Sequence, residues 1–245
     1  VGGSAEFIYG DIQTMFSKAH DMVDLLTSEH YVVNKNIKHG EPFKFNSEVV
    51  IDSFRIGGES PTVIIAEIGI NHNGDYEMAK QLIDEAKKSG CDYAKLQTFS
   101  AENRVSATAK GAKYADKTLS MEETIHEMFE RLELSRGEQT DLFDYAKSIG
   151  MPLISTPFSE HDVDFLVEKG VSAIKIASFD IVNISFIKYV ASKQLPIIIS
   201  TGMSGMGDIE EALEAVASER NPNVILLHCV SSYPTNSIDV NLRSM

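Results

Sequence analysis

Val63-Ile64-Ile65-Ala66-Glu67-Ile68-Gly69 is an apolar run that closes on a carboxylate and a glycine, and five further runs repeat that design. They are Tyr93-Ala94-Lys95-Leu96-Gln97-Thr98, Pro152-Leu153-Ile154-Ser155-Thr156, Ala173-Ile174-Lys175-Ile176-Ala177-Ser178, Pro196-Ile197-Ile198-Ile199-Ser200-Thr201 and Val224-Ile225-Leu226-Leu227-His228-Cys229. Short apolar runs of this kind read as buried parallel strands, and the stretches between them have helical periodicity. From about residue 61 the chain is therefore a βα ladder. The expected class is α/β, a TIM-type (β/α)8 barrel of which about six βα units are present. In such barrels the reactive groups gather at the carboxyl ends of the strands, where these polar clusters lie.

The crossovers fit the same plan. Asp75 reads as the N-cap of a helix through Ser89, with Met78, Leu82, Ile83 and Ala86 on one face and Gly90 ending it. A polar insertion follows Phe99, and Ser120 opens a helix over Met121–Arg131. Ser135 caps a helix that ends near Ile149-Gly150. The remaining crossovers are Glu160–Lys169, Ser185–Ser192 and Gly207–Ser218, lengths that suit right-handed βαβ connections. Residues 1–58 stand outside the pattern as an N-terminal segment, and Gly57-Gly58 marks the junction with a barrel domain over 59–245. In that segment Ile8–Leu26 carries a helical stripe of Ile12, Met15, Phe16 and Ala19, and Tyr31–Phe43 reads as a strand, a turn and the entry to another element.

Composition narrows the function. A net charge of −14 argues against a nucleic-acid partner, and lysines near any anionic ligand must act locally against that field. No run reaches the length of a membrane span, since Glu67 interrupts the best candidate. Cys91 and Cys229 make no disulfide framework and read as buried free thiols in a reducing compartment, as in a cytoplasmic protein. The start, Val1-Gly2-Gly3-Ser4, lacks both Met and the form of a signal peptide, which says little of targeting if the chain is a fragment.

The polar clusters carry the chemistry. Strand alternation puts Lys95 on one face with Gln97, and Lys175 on one face with Ala173 and Ala177. An inward lysine must be paired, because an isolated buried ammonium costs several kcal/mol. Each lysine alone reads equally well as a structural side chain, snorkelling or paired with a carboxylate, and as a ligand-binding one. Two in neighbouring units point to an anion held inside the rim. Ser155-Thr156, Ser178 and Ser200-Thr201-Gly202 add hydroxyls and backbone N–H groups of the kind that bind phosphate or carboxylate, though singly they are ordinary caps. Glu67 is neutral, paired with a lysine, or poised as an acid or base. Asn71-His72-Asn73-Gly74 reads as a βα turn. His228 reads first as a hydrogen-bonded core histidine, since a metal ligand needs partners, and Cys229, on the opposite face, reads as packing. These residues describe a (β/α) enzyme for a phosphorylated or carboxylated small molecule.

Taken together, Ala66–Gly74, Lys95-Leu96-Gln97-Thr98, Ser155-Thr156-Pro157-Phe158, Lys175-Ile176-Ala177-Ser178, Ser200-Thr201-Gly202-Met203, Leu227-His228-Cys229 and Ser232-Tyr233-Pro234-Thr235 resemble the sialic acid synthase family over residues 61–245. These are the N-acylneuraminate or nonulosonate synthases. The resemblance implies condensation of phosphoenolpyruvate with an N-acyl hexosamine, N-acetylmannosamine or a diacetamido-dideoxyhexose, to a nine-carbon sialic-type acid with release of phosphate. It implies a divalent metal, Mn2+ or Mg2+, acting on the aldehyde as a Lewis acid. By position, Lys95, Thr156, Lys175, Ser178 and Ser204 would hold phosphoenolpyruvate, Ser204 standing where some members carry a ligand-binding Asn. Gln97, Asp180 and Tyr233 would face the sugar, and Glu67 would serve in proton transfer or water activation. His228 would be one metal ligand, with a second histidine expected beyond the chain end. A homodimer is implied for the full-length protein, with no nucleic-acid or membrane partner.

The departures from the family concern the acceptor and the length. Asp180 stands where many members have Glu. Lys175–Asp180 resembles the pseudaminic acid branch, whereas Glu67–Gly74 and His228 resemble the neuraminic and legionaminic branches. Family barrels have eight strands and are followed by an antifreeze-like domain; this chain stops after the sixth strand, and Tyr31–Phe43 weakly resembles the start of such a domain. Two alternatives follow. One is a related phosphoenolpyruvate-using keto-sugar-acid synthase, against which Glu67–Gly74 and Ser232–Thr235 argue. The other is an inactive truncated remnant, since six strands of a closed barrel leave two unpaired edges.

Overall fold

The computed structural model describes residues 6–8, 43–106, 124–232 and 235–244. Its chain divides into two compact units, one built on residues 64–171 and the other on 7–63 with 172–245. In the N-terminal region a three-residue strand, β1, is described at Glu6–Ile8. The helix expected at Ile8–Leu26 and the strand expected at Tyr31–Phe43 otherwise fall outside the described residues.

In the first unit β4 (Val63–Gly69), β5 (Tyr93–Thr98) and β6 (Leu153–Pro157) run parallel. The register sets Glu67 opposite Lys95 and Gln97 opposite Thr156, so these side chains share one face of the sheet. The other face carries a cross-strand hydroxyl pair, Thr98 Oγ1 and Ser155 Oγ at 2.7 Å, which gives the fully buried Ser155 hydroxyl its partner.

The first crossover, α1 (Tyr76–Lys88), starts where expected: Asp75 Oδ1 accepts the Met78 N–H at 2.9 Å. Its buried stripe is Ala79, Ile83 and Ala86, while Met78 is 41% exposed, so the core face is rotated away from Met78. A four-residue helix, α2 (Ala101–Arg104), follows β5, and α3 spans Ile125–Leu132. The helix expected to open at Ser120 is described only from Thr124, whose hydroxyl and Glu127 form a reciprocal capping box; Ser120 itself lies outside the described residues. Next, α4 (Arg136–Ser148) is capped by the same device at Ser135 and Glu138, and α5 (Glu160–Lys169) by Ser159. The fully buried Asp162 of α5 is ion-paired with Arg136 of α4 and accepts the Phe158 N–H at 3.2 Å.

The turn between β4 and α1 is built around His72, which is 1% exposed. Its Nδ1 accepts the Gly74 N–H at 3.1 Å, so the histidine holds the turn, as the plain reading of Asn71–Gly74 has it. Burial keeps the His72 pKa below its ordinary 6.5, against the Gly69 carbonyl and the Asp75 and Glu138 carboxylates, which pull it up. Because the folded value is lowered, the unfolded chain takes up this proton first as pH falls. The His72 contribution is then intact above 6.5 and is lost progressively as pH drops below it toward the folded value. A chemical melt repeated between neutral and mildly acidic pH is expected to show stability falling with pH. His72→Asn, which keeps an acceptor for Gly74, is expected to flatten that slope, and an unchanged slope would contradict the assignment.

The second unit holds an antiparallel hairpin, β2 (Val49–Ile51) and β3 (Phe54–Ile56), which the sequence pattern did not suggest. It is anchored by the Asn46 N–H on the Pro222 carbonyl at 2.9 Å and by Asn46 Nδ2 on Asn223 Oδ1 at 2.8 Å. The unit's parallel strands are β7 (Ile174–Ile176), β8 (Ile197–Ser200) and β9 (Val224–Leu227), alternating with α6 (Ile184–Ser192) and α7 (Met206–Ser218). Ile174, Ile176, Ile197, Ile198 and Ile199 are all completely buried, which accounts for the continuous apolar runs. Six parallel strands alternating with helices, three in each unit, give the TIM-type α/β class that the ladder implied. Among the described residues no helix is long and apolar enough to cross a membrane.

Candidate active site

In the first unit the polar face of the sheet carries a buried ion pair. Lys95 is 3% exposed, and its Nζ lies 2.5 Å from Glu67 Oε2 and 3.0 Å from Thr156 Oγ1, to which it donates. The lysine is thus paired, as an inward ammonium must be, and its partner is the one carboxylate placed in the β4 run. A bulge between Glu67 and Gly69 ends the regular pairing of β4, with Gly69 at a φ of +55°. A Cβ there would stand 3.0 Å from Glu67 Oε1 and 3.5 Å from Gln97 Nε2, so a side chain at 69 would crowd both groups. Gln97 in turn accepts a hydrogen bond from Arg104 Nη1 through its Oε1 at 2.8 Å.

The second unit repeats the theme with hydroxyls. Lys175, also 3% exposed, donates to Ser200 Oγ at 2.6 Å. Cys229 Sγ donates to the same Ser200 oxygen at 3.3 Å. Ser178 opens a 3-10 turn over Ser178–Val182, and its Oγ accepts the Gly202 N–H at 3.1 Å. Ser204 Oγ donates to the Gly202 carbonyl at 3.3 Å, and Asp180 is half-buried within the 3-10 turn. An ammonium, several hydroxyls and turn N–H groups at the carboxyl ends of β7 and β8 make an anion-binding chemistry.

A family model for NeuB matches residues 82–245, well over half of the chain. The chain belongs to the NeuB family. Its curated relatives include the N,N'-diacetyllegionaminic acid synthase of Legionella pneumophila, 40% identical over 200 residues, which covers 80% of this chain and 56% of that protein. The pseudaminic acid synthase of Helicobacter pylori is 32% identical over 185 residues, covering 76% and 54%. Among solved structures, the N-acetylneuraminic acid (sialic acid) synthetase of Leptospira borgpetersenii in complex with citrate superposes with a TM-score of 0.70 at 34% identity, over 80% of this chain and 64% of that one. These NeuB-type relatives are sialic-type acid synthases. The chain spans about half the length of the curated relatives it matches.

Glu67, Lys95, Gln97 and Thr156 come together on one sheet face of the first unit. Lys175, Ser178, Ser204 and Asp180 lie in the second unit, and Tyr233 is outside the described residues. His228 is half-buried just past β9, and not in the core as its apolar strand suggested; its Nε2 faces the Val240 carbonyl at 2.7 Å. A carbonyl only accepts, so Nε2 carries a proton, and in the neutral imidazole the lone pair is then on Nδ1, an orientation also found in metal-bound imidazoles. Among the described residues, however, no group of three or more His, Cys, Asp or Glu side chains is placed to hold a metal ion. His228 supplies one donor and not a centre, and the described residues do not by themselves fit a divalent ion.

Two groups escaped the sequence reading. Cys229 is half-buried on Ser200 and belongs to the polar cluster, so neither it nor the half-buried Cys91 is the buried packing thiol expected. Arg104 carried no strand-end signal, because it sits in the insertion after β5 and reaches Gln97 only through the fold.

Proposed function

We propose that this chain is the synthase part of an enzyme that condenses phosphoenolpyruvate with an N-acyl hexosamine, forming a nine-carbon sialic-type acid and inorganic phosphate. The observation that carries the reading is the buried Glu67–Lys95–Thr156 constellation with Gln97 on the same sheet face. A carboxylate and an ammonium paired beside a hydroxyl supply proton transfer and anion binding together. The relatives' activities and the citrate bound by the Leptospira synthetase support a small carboxylate anion as ligand.

In this reading Lys95, Thr156, Lys175, Ser178 and Ser204 hold the phosphate and carboxylate of phosphoenolpyruvate. Gln97, Asp180 and Tyr233 address the sugar. C3 of phosphoenolpyruvate forms the new bond to the aldehyde carbon, whose oxygen takes up a proton. Water then adds at C2 and gives its proton to a base, the role assigned to Glu67. The C2–O bond to phosphate breaks, leaving the keto acid and inorganic phosphate. His228 Nδ1 is one donor available to Mn2+ or Mg2+, and no proton or bond in this sequence depends on it. The full-length protein is read as a cytoplasmic homodimer, since free thiols suit a reducing compartment.

The test is phosphate release from phosphoenolpyruvate with N-acetylmannosamine, its 6-phosphate and diacetamido-dideoxyhexoses, each with and without divalent metal. Release is expected with one of these sugars and none in its absence. Release with an aldose phosphate lacking an N-acyl group, and with none of the panel, would contradict the reading.

A further inference from the structure

Arg104, half-buried at the end of α2, is held among aromatic rings. Its guanidinium carbon lies 4.6 Å from the Phe99 ring centroid, 4.0 Å from that of Phe129 and 3.8 Å from that of Phe158. The three rings meet edge to face, Phe99 with Phe129 at 5.5 Å and with Phe158 at 6.1 Å. They belong to a cluster with Met128 and Leu132 that joins the end of β5, α3 and the start of the loop after β6. The short helix α2 that carries Arg104 is itself tied down. Its first N–H, that of Ala101, is bound by Glu133 Oε2 at 2.7 Å, and the following Val105 carbonyl accepts from His126 Nδ1 at 3.1 Å. A planar cation stacked on aromatic faces is fixed in both position and orientation.

That fixed cation donates a hydrogen bond to Gln97, from Nη1 to Oε1 at 2.8 Å. A guanidinium has no acceptor atom, so the amide atom facing it must be the carbonyl oxygen. The amide orientation of Gln97 is thereby decided. Its NH2 is turned away from Arg104, to the side where a Cβ on Gly69 would meet Gln97 Nε2 at 3.5 Å and Glu67 Oε1 at 3.0 Å.

We propose that Arg104, clamped by Phe99, Phe129 and Phe158, is a positioning residue that locks Gln97 as a hydrogen-bond donor beside Glu67. Gln97 then recognises an acceptor oxygen of the sugar, a hydroxyl or the N-acyl carbonyl. The proposal rests on the synthase reading above and deepens it at the sugar end.

Steady-state kinetics of the full-length protein test this, with phosphoenolpyruvate and the panel sugar that gives the highest rate. Arg104→Met, which keeps an apolar stem among the rings, is expected to raise KM for the sugar about 10-fold or more, with KM for phosphoenolpyruvate within about two-fold. Gln97→Glu is the sharper variant, because it keeps an acceptor for Arg104 and replaces the NH2 donor by an oxygen. It is expected to raise the sugar KM at least as much, whereas a purely structural Arg104–Gln97 contact would be strengthened by it. In a Gln97→Met background, Arg104→Met is expected to add nothing further. An unchanged sugar KM in Gln97→Glu, or full additivity in the Met background, overturns the proposal even if Arg104→Met fails to fold. A wild-type protein that releases no phosphate with any sugar overturns the synthase reading and the proposal with it.

Discussion

Lys95→Ala is expected to leave no measurable sugar-dependent phosphate release, a loss of about 10³-fold or more, because it removes a buried charge placed to act on an anion. The lysine is 3% exposed between Glu67 and Thr156, so no solvent-borne cation replaces it. The same change strands the Glu67 carboxylate, itself only 13% exposed, and breaking a buried pair in this way costs about 3–5 kcal/mol. Loss of activity could then reflect loss of fold, and a second variant separates the two. Lys95→Met combined with Glu67→Gln removes both charges, and removing both partners is far milder for stability than removing one. The double variant is expected to recover most of the urea midpoint and none of the turnover. A Lys95→Ala protein that keeps more than about a tenth of wild-type kcat/KM would show that the buried pair is structural and no part of the site.

Gly74→Ala is expected to be the most destabilising small substitution in the first unit. Gly74 closes the turn between β4 and α1 with φ at +77°, where a Cβ meets its own backbone at a cost of about 1–2 kcal/mol. Added to that, the Cβ would fall inside the van der Waals shell of the Arg131 carbonyl oxygen, a backbone atom near the end of α3 that a side-chain rotation does not move aside. Its N–H also binds His72, so a shift of the turn disturbs the buried imidazole. The combined cost is about 3 kcal/mol, which for a protein of this size lowers Tm by ~6–12 °C. Thermal melts of wild type and Gly74→Ala at neutral pH measure this directly. A change of less than about 2 °C would mean that the α3 end is not packed on the turn as described.

The fold was legible because both faces of the sheet are covered. A strand buried on both sides must be apolar throughout, so each polar residue within a run stands out, and Glu67, Lys95 and Lys175 were found that way. Period-two alternation was enough to set Lys95 and Gln97 on one face, and the register confirms it by adding Thr156 opposite Gln97. Caps were legible where a side chain does the capping, as at Asp75 and Ser135. The start of α3 shows the limit of that approach. Ser120 and Thr124 both offer a capping hydroxyl with a glutamate three residues on, Glu123 and Glu127, so the pattern along the chain does not choose between them. The hairpin at Val49–Ile56 was not read because its turn, Asp52-Ser53, lacks the glycine that usually announces one, although Asp52 takes a φ of +50°.

The site was legible residue by residue and illegible as contacts. That Lys175 would find Ser200, and Cys229 the same oxygen, depends on which strands lie side by side. Arg104 is the extreme case, since Phe99, Phe129 and Phe158 are far apart in sequence and meet only when β5, α3 and the loop after β6 pack together. A pattern read along one dimension has no term for such a cage.

In the proposed reaction the Glu67–Lys95 face serves a condensation that splits phosphoenolpyruvate at its C–O bond. Phosphoenolpyruvate labelled with 18O at the oxygen bridging C2 and phosphorus reports which bond breaks, by mass spectrometry of both products after turnover with the active N-acyl sugar. The label is expected wholly in the released phosphate, with the new keto oxygen drawn from water. Label retained in the sugar acid, or phosphate released at the same rate without any sugar, would contradict the claim.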